Sequence, residues 1–102
     1  MIYKVNSVNK IPIRLTEERW FHIVENHTEL AGKYFEILEA VQKPDFICPG
    51  PKREFLAVKR KNGKFLIVVY REIVKNKDGF IITAFLTSKI NPVKKKGIIW
   101  QL

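Results

Sequence analysis

The chain has 102 residues, 46% hydrophobic and 12% aromatic, and a formal net charge of +9 at pH 7. That length holds a single domain, residues 1–102, and the composition excludes a disordered chain. Cys48 is the only cysteine, so no intramolecular disulfide forms and any metal site would need other ligands.

Ile11-Pro12-Ile13-Arg14-Leu15 alternates and reads as a short strand, placed at a sheet edge or a strand start by Pro12. Thr16 is an N-cap, with Glu17 and Glu18 in the first turn where the helix dipole favours acids. Leu15 and Trp20 stand at the spacing of a hydrophobic staple. The helix runs to about Asn26-His27, with Trp20, Ile23, Val24 and His27 as its stripe. Thr28 is a second N-cap. It opens a helix to about Gln42 whose inner face is Leu30, Tyr34, Ile37, Leu38 and Val41, with Gly32 loosening the first turn. Lys43-Pro44-Asp45 ends it, Phe46-Ile47-Cys48 reads as a short strand, and Pro49-Gly50-Pro51 as a turn.

Glu54 to Lys61 and Lys64 to Glu72 flank Asn62-Gly63, the strongest short hairpin signal. A two-residue turn pairs Lys61 with Lys64, Val58 with Ile67 and Phe55 with Tyr70. One face then carries Phe55, Ala57, Lys59, Leu66, Val68 and Tyr70. The other carries Leu56, Val58, Arg60, Phe65, Ile67, Val69 and Arg71. Both faces are largely apolar, so the pattern does not choose which one the helices cover. Asn76-Lys77-Asp78-Gly79 is the next turn, Gly79 to Ser88 the last long strand, and Ile98-Ile99-Trp100 a terminal strand. The expected fold is α+β: an N-terminal strand and two helices packed on a roughly four-stranded antiparallel β-meander.

Charge is unevenly spread. Residues 16–45 carry seven acidic and three basic groups, and residues 46–102 carry thirteen basic and three acidic. An acidic helical half before a basic β half suggests a polyanion face. The start Met1-Ile2-Tyr3-Lys4 lacks the charged-then-apolar pattern of a signal peptide. The longest apolar run, Phe65 to Tyr70, falls far short of the ~20 residues that span a bilayer. A cytoplasmic protein with no membrane partner is expected. No Gly-rich phosphate loop is present, so no cofactor is expected, and no metal.

The run from Arg14 to Ile23 (RLTEERWFHI), followed by Glu25-Asn26-His27-Thr28-Glu29-Leu30, resembles the helix motif of small phage and mobile-element nucleases. These are the barnase–EndoU–colicin–RelE-like RNA-cleaving domains. Downstream, Val69-Tyr70-Arg71 and Phe85-Leu86-Thr87-Ser88-Lys89 carry the likeness, which spans roughly residues 13–90. Where relatives often have proline after the second histidine, this chain has Thr28. The resemblance implies a RelE/barnase-like nuclease domain: a metal-independent endoribonuclease in which the RNA 2′-hydroxyl attacks the adjacent phosphate. A base removes the proton, cations hold the added charge, and an acid protonates the leaving 5′-oxygen. RNA is the implied partner, with a cognate antitoxin or immunity protein as a second candidate. The alternative is a non-catalytic RNA-binding or protein-interaction domain of the same fold.

His22 lies opposite the apolar stripe, so it is either solvated or faces a site, and imidazole is the side chain suited to acid–base work near neutral pH. His27, on the stripe, either fixes the inter-helix turn or acts directly. Five residues apart, the two histidines occupy different helix faces, which disfavours zinc. Arg71 follows an apolar strand and either clamps a phosphate or pairs with Glu54 across the hairpin. Tyr70 is a packed strand aromatic or a stacking or proton-handling group. Thr87, with Ser88 and Lys89, either caps the strand end or binds phosphate. Lys59, Arg60, Lys61 and Lys64 crowd the hairpin tip as solvated charge or as phosphate contacts. The candidate catalytic set is therefore His22, Arg71, Thr87, His27 and Tyr70, with Lys59, Arg60, Lys61, Lys64, Ser88 and Lys89 binding substrate.

Overall fold

Asn62 and Gly63 both have positive φ, 48° and 80°, the geometry of a type I′ turn whose twist matches that of its strands. It joins β4 (Phe55–Lys61) to β5 (Lys64–Ile73) and pairs Lys61 with Lys64, Val58 with Ile67 and Phe55 with Tyr70, the register expected from sequence. A computed structural model describes residues 3–102 of the chain. Met1 and Ile2, which enter the reading of the chain's start, lie outside the described residues.

The remaining strands are β1 (Tyr3–Asn6), β2 (Pro12–Leu15), β3 (Phe46–Pro49), β6 (Asp78–Thr87) and β7 (Trp100–Gln101). They form a seven-stranded sheet in the order β1-β2-β6-β5-β4-β3-β7. All pairs are antiparallel except β2 with β6, which run parallel at Ile13↔Gly79 and Arg14↔Phe80. The fold stays α+β, but the expected four-stranded antiparallel meander with two helices is wrong. The sheet is mixed, has seven strands and carries three helices: α1 (Glu17–Asn26), α2 (Tyr34–Gln42) and α3 (Asn91–Lys94). The sequence shows β3 and β7 as isolated short strands without a place in the sheet and does not show β1 at all, because each is only two to four residues long. Such segments leave almost no alternation to read and are held by long-range pairing.

Thr16 caps α1 as expected, its Oγ1 accepting from the Arg19 N–H at 3.1 Å. The second helix does not begin at Thr28. Thr28–Leu30 is a single 3₁₀ turn, and Gly32 at φ 80° interrupts the chain before α2 starts at Tyr34. Its left-handed backbone cannot continue a right-handed helix.

The covered face is settled by packing. Ile23 and Leu30, with Ile37, Leu38 and Val41 of α2, share one core with Ala57, Leu66, Val68, Tyr70, Ile81 and Ala84. The helices thus cover the Phe55–Ala57–Lys59 face. The opposite face has a smaller core of Phe46, Cys48, Val58 and Ile67, against which Leu56, Phe65, Val69, Phe85, Ile90 and Val93 pack. Among the described residues, no helix is long and apolar enough to cross a membrane.

Gly79 sits where β2 meets β6. A Cβ there would lie 2.4 Å from the Arg71 carbonyl oxygen and 2.4 Å from Ile13 Cδ1, and the carbonyl cannot yield without breaking the β5–β6 ladder. Gly79→Ala should therefore destabilise the protein by about 1–3 kcal/mol, read as a lower urea midpoint with an unchanged slope.

Candidate nucleic-acid interface

The hairpin tip, the end of β6 and the start of α2 meet at one end of the sheet. Between them lies a cavity of about 550 Å³ lined by Lys33, Glu36, Lys61, Asn62, Lys64, Leu66 and Leu86. Leu66 and Leu86 face each other across β5 and β6 and form its apolar wall. Lys61 also meets Glu39 of α2 at 3.7 Å. Lys33 and Glu36 are residues that reading the sequence misses. Only the break at Gly32 hints that this stretch turns toward the hairpin, because its partner residues lie some thirty positions away.

The four tip cations have different tasks. The Lys59 Nζ donates to the Lys43 carbonyl at 2.7 Å, which satisfies an orphan acceptor at the end of α2. It is a structural group. Arg60 lies on the opposite face, its guanidinium 5.9 Å from the Phe46 ring centroid, with the Lys94 ammonium 5.3 Å from the same ring. Its backbone N–H donates to Asp45 at 2.8 Å. Lys61 and Lys64 line the cavity.

His27, at the C-terminal end of α1, has a side chain 34% exposed, with Nδ1 3.7 Å from a Glu29 carboxylate oxygen. Its ring lies 6.0 Å from that of Phe85. Because β2 pairs with β6 only as far as Phe80, the rest of that edge of β6 has no strand neighbour among the described residues. That leaves the His27 ring room to reach Phe85. Thr87 shares the Phe85 face, about 7 Å further along the strand. Its hydroxyl accepts from the Lys89 N–H at 3.1 Å, a local turn that engages Thr87 and Lys89 with each other. Ser88 and Lys89 are exposed.

His22 is exposed on α1; its carbonyl accepts from Asn26 Nδ2 at 3.0 Å. Arg71 is not brought to Thr87. Thr87 pairs with Phe65 and Arg71 with Phe80, so the two share a sheet face but stand six residues, roughly 20 Å, apart. Arg71 makes no ion pair within 4.0 Å among the described residues. The Glu54 carboxyl is held below its usual range first by the Lys52 N–H, then by its own N–H, with Arg71 a smaller contributor. His27, Thr87, Lys61 and Lys64 thus stand at one end of the sheet and Arg71 at the other, but Thr87 and the His27–Phe85 contact belong to the face opposite Lys61 and Lys64.

Tyr70 is fully buried, in contact with Phe55. Its hydroxyl is a buried polar atom with no hydrogen-bond partner among the described residues. That removes it from any stacking surface. Burial, and secondarily the carboxylate of Glu72, push its phenol pKa up. Glu72 itself accepts from Ser7 and from Asn9. Among the described residues, no group of three or more His, Cys, Asp or Glu side chains stands close enough to hold a metal ion.

Comparison with protein-family models, curated proteins and solved structures finds no match, so the site is read from its own geometry.

Tyr70→Phe should raise stability by about 1 kcal/mol at neutral pH, because an unpaired buried hydroxyl is removed. Above pH ~10 the unfolded chain releases the phenol proton while the folded chain holds it. The unfolded state then binds fewer protons, and stability falls as pH rises. Urea titrations from pH 7 to 11 should show a shallower alkaline loss in the variant.

Proposed function

We propose that the chain binds RNA at the hairpin end of its sheet and cleaves it without a metal. The observation that carries this reading is an imidazole one-third exposed, His27, held against Phe85, at the same end of the sheet as a lysine-lined cavity that Leu86 walls on the opposite face. Lys33, Lys61 and Lys64 supply charge for phosphate. Phe85 and the imidazole offer faces on which an unpaired base stacks. In this scheme His27 takes the proton of the 2′-hydroxyl, the oxygen attacks phosphorus, and the P–O bond to the 5′-oxygen breaks as water protonates it, while the ammonium groups across the sheet end hold neighbouring phosphates of the same strand. The resemblance carried by residues 14–30 supports the same chemistry.

The roughly 20 Å between Arg71 and Thr87 favours a second reading, binding without cleavage, because an arginine that distant cannot serve the same phosphate. The two readings separate experimentally. Folded protein incubated with labelled single-stranded RNA and tRNA in EDTA should give products ending in a 2′,3′-cyclic phosphate. His27→Ala should slow cleavage at least ~10²-fold with RNA affinity retained, whereas His22→Ala should change the rate little. Absence of cleavage by folded, RNA-binding protein would select the binding reading.

RNA affinity should also fall linearly on a log–log plot against salt. Lys61→Gln and Lys64→Gln together should lower the slope by about 1–2, one condensed counterion per lost phosphate contact. Filter binding across a salt series measures it, and a flat salt response would remove RNA as the partner.

A further inference from the structure

We propose that the cavity between α2 and the β4–β5 turn is a subsite for one unpaired nucleotide whose base bears an amino group, that is adenine, cytosine or guanine but not uracil. This deepens the RNA reading and rests on it.

Three observations combine. The cavity, about 550 Å³, falls within the size range of small-molecule sites, so it has room for a nucleotide. Leu86, partly exposed and backed by the buried Leu66, offers an apolar surface for the flat face of a base. Its rim divides by charge. Lys33 and Lys64 have no carboxylate partner among the described residues, and Lys61 shares Glu39 at 3.7 Å, so a phosphate finds three ammonium groups there. Glu36 is the one carboxylate lining the cavity, and among the described residues no hydrogen bond or ion pair engages it.

A carboxylate accepts hydrogen bonds and donates none. An exocyclic amino group of adenine, cytosine or guanine meets that requirement. Uracil offers a single ring N–H flanked by two carbonyl oxygens, so a carboxylate approaching it is repelled on both sides. The same edge of a base is occupied in a duplex, and the deep groove of A-form RNA keeps side chains from it. The substrate implied is therefore single-stranded at this position. An acidic peptide would satisfy the lysines but bring a second negative charge toward Glu36.

The full chain is titrated at low salt with the 3′-monophosphates of adenosine, cytidine, guanosine and uridine, followed by amide shifts of Lys33, Glu36, Leu66 and Leu86. The three amino-bearing nucleotides should bind about tenfold more tightly than uridine 3′-monophosphate, the worth of one hydrogen bond to a charged group. Glu36→Gln, whose amide both donates and accepts, should bring the four affinities together while the melting temperature stays unchanged. The proposal is overturned if uridine binds as tightly as the others, if the ranking survives in Glu36→Gln, if the shifts fall elsewhere, or if an acidic peptide binds more tightly than any nucleotide. RNA that binds while the four nucleotides go undiscriminated removes the subsite and leaves the RNA reading standing. Nucleotides that rank as expected while RNA fails to bind keep the subsite and remove the RNA reading.

Discussion

The close approach of β2 to β6 organises much of this molecule. Ile13, completely buried, fills the space that a side chain at position 79 would need. The two strands run parallel for only two residue pairs, yet that contact decides where the chain goes next. Thr16 caps α1 immediately after β2, and Tyr34 of α2 donates its hydroxyl to the Leu15 carbonyl at 3.0 Å. Both helices are therefore anchored to the last residues of β2, and the end of α1 is delivered to the unpaired stretch of β6, where His27 meets Phe85. A short parallel pair fixes the imidazole from some fourteen residues away.

Local rules read the centre of the sheet well and its margins poorly. The β4–β5 register follows from one dipeptide, because a type I′ turn admits one pairing, and period-two alternation sorted the hairpin's side chains onto the right faces. The face beneath the helices was not legible, since both sides are apolar and only the packing of Ile23, Ile37 and Val41 chooses between them. The second helix was misplaced because Thr28 followed by Glu29 looks like an N-cap, whereas the positive φ at Gly32 is what stops the helix from starting there.

The same limit governs the candidate site. Residue types suggest that Arg71 and Thr87 share a phosphate, but a sequence pattern says nothing of distance along a strand, and the β5–β6 register puts them at opposite ends. Of the two roles the sequence leaves open for Tyr70, packed strand aromatic or stacking group, burial selects the first. Of the tip lysines, Lys59 turns inward to a helix carbonyl, a role that no charge count distinguishes from phosphate binding. Lys33 and Glu36 became part of the site only through tertiary folding. What composition conveyed, an acidic helical half and a basic strand half, survives as an overall asymmetry, while the individual contacts do not follow from it.

The margin formed by β7 carries a different consequence. Two residues of that strand pair with β3, and Ile99 and Leu102 add backbone bonds to the Ile47 and Asp45 carbonyls at 2.9 and 3.1 Å. Behind this thin guard lies Phe46-Ile47-Cys48, fully apolar and buried. Peeling the guard away takes only a handful of hydrogen bonds, and it would bare a sticky ribbon edge able to recruit the same ribbon of another molecule. The weak point for self-association in this fold is thus at the far margin of the sheet from β1.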